Sequence, residues 1–215
     1  MKTLGRYWLA VTLVAAAFAT SAALYHGLPA TIPIHWNARG VIDGWAPKWE
    51  GVLIAPCTGL VIAALLILFG PWREQDGWDA EEEARAHYHP TIVALVAGIC
   101  CYVNAVVLIA GMGWHLDIPS HVGIGVGLLI AVLGNVLRQV PQNGAVGIRT
   151  PWTLGNEAVW ARTHRIASWL FMMAGAVMVV TGVMGQGMTP GLVAIGAAAV
   201  VSVGYSYVVS RRLGN

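Results

Sequence analysis

One short stretch brings a carboxylate, an indole and an imidazole into a single helical register. From Glu157, the residues Trp160, Ala161, His164 and Ser168 follow at i, i+3, i+4 spacing, so a helix places them on one face. A carboxylate and an imidazole are common partners in proton transfer. Here they lie two turns apart, roughly 10 Å along the axis. That separation excludes a direct acid–base pair and leaves room for a substrate or a water chain. No Ser, Cys or Thr sits in a nucleophile motif of the GxSxG kind. A second group, His26, His35, His115 and His121 with Asp117, has donor types that zinc accepts, but no HExxH-like spacing. His87 and His89 flank Tyr88 without a third ligand nearby. The spacing assigns no catalytic residue, no metal site and no cofactor.

The element that positions Glu157 and His164 opens out of a polar passage, Gly134 to Arg165, with apolar runs on both sides. Its first half is turn chemistry: Pro141, Asn143, Gly144, Gly147 and the Thr150-Pro151 pair. Its second half starts a helix. Asn156 can cap it, Glu157 meets the positive end of its dipole, and Arg162 and Arg165 follow on later turns. An arginine at membrane depth costs about 2.5–3.5 kcal/mol, so Arg149 needs Glu157 or backbone carbonyls as partners. Arg149, Trp152, Asn156, Glu157 and His164 are therefore expected to lock the loop against the end of a helical bundle, with Arg149 and Glu157 coupled.

Composition sets the class. Of 215 residues, 57% are hydrophobic and 10% charged. A soluble domain carries nearer a quarter charged residues. A bilayer helix needs about 20 apolar residues. The uncharged runs predict six spans, at about 7–25, 51–70, 91–113, 121–138, 166–184 and 190–210. An outer loop module at 26–50 and an inner polar loop at 138–165 join them. The fold class expected is an all-α integral membrane protein, a bundle of six transmembrane helices with one extracytoplasmic module and one structured cytoplasmic loop. Lys2, Arg6 and Ala19-Thr20-Ser21 also resemble a signal peptide, but the first run is long for one and reads as a retained span. Of the twelve Lys and Arg residues, only Arg39 and Lys48 fall in outer segments. That split places both termini in the cytoplasm of a multi-pass bacterial inner-membrane protein. The net charge of +2 then reflects orientation, with no direct nucleic-acid binding implied. Cys57, Cys100 and Cys101 lie inside spans and read as small packing residues.

The outer module runs from Leu28 to Trp49. Its prolines restrict the backbone, and Arg39-Gly40 and Asp43-Gly44 read as turns. Trp36, Trp45 and Trp49 suit the headgroup level. Two readings stand: an interfacial hairpin anchored by tryptophans, or a lid whose His35, Trp36, Asn37 and Asp43 offer polar and aromatic groups to a ligand. The inner loop from Arg73 to His89 carries Asp76 or Asp79 as a helix cap and a Glu81–Arg85 pair. Asn104 inside the third span needs a partner, and Gly123 and Gly127 allow a close helix approach.

Gly147-Ile148-Arg149-Thr150-Pro151-Trp152-Thr153-Leu154, followed by Asn156-Glu157, Trp160 and Thr163-His164-Arg165, resembles the signature of the SdpI family of bacterial membrane proteins. Gly134-Asn135 and Asn143 extend the match. Leu28-Pro29 through Ile32-Pro33, His35-Trp36-Asn37, Gly40, Asp43-Gly44 and Lys48 resemble an extracytoplasmic module, of unknown function, that often precedes that signature. The family's founding member is an immunity protein against a secreted toxic peptide, and it holds a transcriptional repressor at the membrane. The resemblance implies immunity or signalling, with the lipid bilayer, a toxic peptide outside and a repressor inside as partners. Ligand-binding or signalling residues would then be His35, Trp36, Asn37, Asp43, Arg149, Thr150, Trp152, Asn156, Glu157, Trp160 and His164. A small-molecule transporter or exporter and a metal-dependent intramembrane enzyme are the alternatives. In a background without the native cysteines, Arg39→Cys and Ala145→Cys should react with an impermeant thiol reagent from opposite sides. Outside labelling at position 145 would reverse the orientation.

Overall fold

The computed structural model describes residues 4–37, 40–69, 79–144 and 146–213. Among these, six helices are long and apolar enough to cross a membrane: Gly5–Gly27, Lys48–Leu68, His89–Gly111, Ile118–Leu137, Glu157–Val183 and Thr189–Arg212. The chain divides into two compact units, one within Met1–Asp76 and His89–His121, the other within Gly77–Tyr88 and Val122–Asn215. Arg39, Arg73 and Asp76 lie outside the described residues. So do the side chains of Asp79, Glu81, Arg85, His87 and Tyr88.

The first unit contains α1 (Trp8–Leu24), β1 (Thr31–Trp36), β2 (Ile42–Pro47), α2 (Lys48–Phe69) and most of α3 (Asp79–Gly111). Small residues let the helices approach: Ala10, Ala63, Ala94 and Ala97 form a buried cluster with Val93. Asn104 is 1% exposed. Its amide donates to the Ala17 carbonyl and to Ser21 Oγ, both at 3.1 Å, and Ser21 Oγ donates to the Val52 carbonyl at 2.9 Å. One buried amide thus ties α1, α2 and α3 together, as a polar group inside an apolar span requires. Near the start of α1, Tyr7 Oη lies 2.8 Å from His89 Nδ1. Pro56 and Pro90 sit inside α2 and α3 without ending either helix. The helix expected to be capped by Asp76 or Asp79 is continuous with the third span, from Asp79.

The segment between α1 and α2 is an antiparallel hairpin, so a two-stranded sheet joins the helices. Thr31 pairs with Pro47, Pro33 with Trp45 and Trp36 with Ile42, with irregular register around His35. Asp43 and Gly44 lie in β2 rather than in a turn. Between the strands, the Val41 N–H donates to Asn37 Oδ1 at 3.1 Å and Gly40 takes φ 76°. The hairpin is seated by Ile32, fully buried among Leu28, Val52, Val107 and Leu108. Lys48 Nζ donates to the carbonyls of Tyr25 and Leu28 at 3.3 Å each, which fixes its base.

The second unit contains the Val122–Leu137 part of α4 (Ile118–Leu137), α5 (Pro151–Gly155), α6 (Glu157–Val183) and α7 (Thr189–Arg212). Between α6 and α7, Gly185 and Gly187 adopt φ 69° and 68°, which turns the chain back sharply. The glycines of α4 admit α6 to near backbone contact. A β-carbon on Gly127 would sit 2.8 Å from the Gly175 carbonyl oxygen, and one on Gly175 would meet Ala131 N at 2.6 Å. Gly175→Ala should therefore cost about 1–3 kcal/mol through overpacking. Gly196→Ala, which points into open space, should leave thermal unfolding in detergent unchanged. Equal midpoints for the two variants would refute the close crossing.

Candidate functional site

The polar passage before α6 folds by local capping. Thr150 caps α5, with Pro151 behind it where a missing N–H costs nothing. The Thr153 N–H donates to Thr150 Oγ1 at 3.2 Å, and the Thr150 N–H donates to Thr153 Oγ1 at 2.8 Å. Thr153 Oγ1 is itself 2.7 Å from the Ile148 carbonyl and donates to it. Gln142 Nε2 closes the far end of α5 on the carbonyls of Thr153 and Leu154, at 2.7 and 2.9 Å. Asn143 bridges its own turn, taking the Val146 N–H at 2.7 Å and donating to the Pro141 carbonyl at 2.7 Å. Asn156 then caps α6 by accepting from the N–H groups of Ala158 and Val159.

Beneath this loop lie Trp160 and His164, 2% and 1% exposed, with rings stacked at 4.0 Å and 21°. His164 Nδ1 is 2.9 Å from the Trp160 carbonyl, and its Nε2 takes the Ile148 N–H at 3.0 Å. A carbonyl accepts only and an amide donates only, so the ring is held as the neutral Nδ1–H tautomer. Trp160 Nε1 donates to the Val140 carbonyl at 3.0 Å. Gly147 takes φ 121°, and a β-carbon there would collide with His164 Nε2 and come within 3.0 Å of the Trp160 ring. Trp152 Nε1 donates to Ser206 Oγ of α7 at 2.7 Å, with its ring edge-on to Tyr207 at 5.4 Å.

The expected pairing of Arg149 with Glu157 does not occur. Both side chains are exposed, and the one ion pair among the described residues is His35–Asp43. Arg149 reaches solvent and needs no buried partner, while Glu157 sits in the first turn of α6. The loop is held instead by neutral groups: Thr150, Trp152, Asn156, Trp160 and His164. Gly147, Gln142, Thr153 and Ser206 complete it and were absent from the sequence-based site. The Thr150-x-x-Thr153 spacing was a readable signal for a cap. Nothing pointed to Ser206, 54 positions beyond Trp152. With both ring nitrogens engaged, His164 has no free base to offer a substrate.

In the hairpin, His35 Nδ1 lies 2.5 Å from Asp43 Oδ1, and both side chains are exposed. The His35-Trp36-Asn37 triplet is divided. Trp36 packs half-buried on the Leu28 and Ile32 cluster, and Asn37 accepts the Val41 N–H. The exposed aromatic rings are Trp45 and Trp49, at 59% and 57%. His121 Nδ1 lies 2.9 Å from the Asp117 carbonyl. Among the described residues, no three His, Cys, Asp or Glu side chains converge as a metal would need.

Comparison with known proteins follows the same two regions. The profile of the SdpI/YfhL protein family matches residues 139–206, and a domain of unknown function, DUF1648, matches residues 12–60. The chain is 26% identical over 176 residues to the immunity protein SdpI of Bacillus subtilis (strain 168), covering 80% of this chain and 79% of that protein. No solved structure matches. The C-terminal part of the chain is thus similar to the SdpI/YfhL family, and the segment ahead of it to DUF1648. The local geometry predicts the behaviour of two neighbouring glycines. Gly147→Ala should lose about 2–4 kcal/mol of stability, from backbone strain and the broken Ile148–His164 bond. Gly144→Ala, with open space around it, should stay within about 0.5 kcal/mol of the parent by thermal unfolding. A stable Gly147→Ala protein would disprove the lock.

Proposed function

We propose that this chain protects its cell from a secreted toxic peptide or envelope-active compound. The observation that carries this reading is the likeness, along 80% of the chain, to a protein named for immunity. It is supported by two built features of unlike character. The outer hairpin presents an ion pair, His35 with Asp43, beside the exposed ring of Trp45, a surface suited to a peptide's mixed polar and apolar groups. The loop over His164 presents Val146, Arg149, Leu154 and Glu157 on a backbone fixed by its own caps. A rigid, exposed surface of this kind suits a cytoplasmic protein such as a repressor, which gives the reading its signalling arm. Neither feature joins a nucleophile to a base, which favours binding over catalysis.

Survival of a sensitive host exposed to producer-strain supernatant tests the reading directly. Expression of the parent chain should restore growth. His35→Ala with Asp43→Asn should lower protection at least tenfold while the melting temperature moves little, because an exposed pair contributes about 0–1 kcal/mol. Arg149→Ala with Leu154→Ser should leave protection intact and abolish a toxin-dependent reporter. A parent chain that gives no protection against any producer would sink the immunity reading.

A further inference from the structure

Two faces of the second unit end alike. On α6, Arg162, Trp169, Met173 and Val180 recur at steps of 7, 11 and 18 residues, within about 20° of one line on a 3.6-residue helix. Arg162 is exposed, and the other three are 57%, 60% and 55% exposed. On α7, Arg211, Gly204, Val200 and Val193 recur at the same steps, with Val200 73% and Val193 67% exposed. Apolar side chains this open on a membrane helix face lipid. Each lipid-facing line is therefore capped by an arginine, with Arg165 and Arg212 exposed beside it.

Depth places these arginines at the headgroups. Arg162 is 21 residues before Val183 and Arg211 is 22 after Thr189, which is roughly 31 and 33 Å of helix. Both lengths run from the same turn, and each is about the thickness of the hydrocarbon layer. An exposed aromatic ring lies one turn inward on both helices: Trp169 from Arg165, and Tyr207 from Arg211. From Val122 onward the sequence holds one carboxylate side chain, Glu157, about 140° around α6 from Arg162. The acidic residues Asp79 and Glu81–Glu83 belong to the same unit, but among the described residues no carboxylate pairs with these guanidinium groups, whose planar forks fit phosphate oxygens.

We infer that Arg162, Arg165, Arg211 and Arg212 form a headgroup site that takes the phosphate of anionic phospholipids at one membrane face. The site serves whichever leaflet these ends of α6 and α7 reach, and it is independent of the immunity reading.

The test is lipid titration of the purified full-length chain in neutral detergent, read by native mass spectrometry. Phosphatidylglycerol should bind at least about fivefold more tightly than phosphatidylcholine, as a surface arginine near anionic lipid predicts. The quadruple Arg→Gln variant should bind both lipids alike, with an unchanged melting temperature because all four side chains are exposed. The quadruple Arg→Lys variant should keep a preference for phosphatidylglycerol. An unaltered preference in the Gln variant would overturn the site. So would displacement of the lipid by millimolar inorganic phosphate, which would mark a free-anion site. Binding of a polyglutamate peptide in place of phosphatidylglycerol would assign the face to an acidic protein segment instead.

Discussion

The Ile148 N–H to His164 Nε2 hydrogen bond is the contact on which the loop before α6 depends. A buried amide without a partner costs several kcal/mol in an apolar environment. Inside a helix the backbone supplies its own partners, but a loop must find them elsewhere. Here an imidazole fills the role. Its other nitrogen is tied to the Trp160 carbonyl, so the ring cannot rotate to a competing arrangement. The Trp160 ring covers one imidazole face and spends its own N–H on Val140. Gly147 must then be a glycine, because the space a side chain needs is already taken by these two rings. One hydrogen bond thus accounts for three residue identities.

The first unit meets the same constraint with a different group. Asn104 has two amide protons and a carbonyl, and α1 and Ser21 supply partners for them. An apolar side chain there would leave Ser21 Oγ with fewer partners, though Val52 would still accept its proton. Both solutions use neutral groups. A charged partner in either place would add a desolvation penalty that a short membrane-facing network cannot easily offset. The charged residues lie elsewhere, on surfaces: Asp43 and His35 on the hairpin, Arg149 and Glu157 on the loop.

That division explains what the sequence disclosed. The six apolar runs were legible because length and hydrophobicity alone identify a membrane-crossing helix. Asn156 as a cap, Asn143 as a turn residue and Asn104 as a buried polar group were legible from local chemistry. The Arg149–Glu157 pair was misread because sequence does not report depth. Arg149 was expected to need a buried partner, and its side chain is exposed instead. Asp43-Gly44 was misread for a related reason. Its composition favours a turn, yet pairing with β1 and the burial of Ala46 two positions on hold it extended. Tertiary contact overrode a local preference there; at Pro90, α3 likewise continues through a residue that usually ends a helix.

Trp36 shows how packing bears on function. The sequence offers it, within a His-Trp-Asn triplet, as an aromatic face for a ligand. Packed on Leu28 and Ile32 it is a structural anchor, and its burial aims its neighbours. In a strand, successive side chains alternate faces. Seating Trp36 against the cluster therefore turns His35 away from it, to where Asp43 can meet it. The polar pair owes its exposure to the apolar residue beside it. The same relation holds in the second unit, where burying Trp160 and His164 fixes the loop that holds Arg149 and Leu154 open to solvent. In both units the residues able to meet a partner are exposed because a buried ring next to them is held in place.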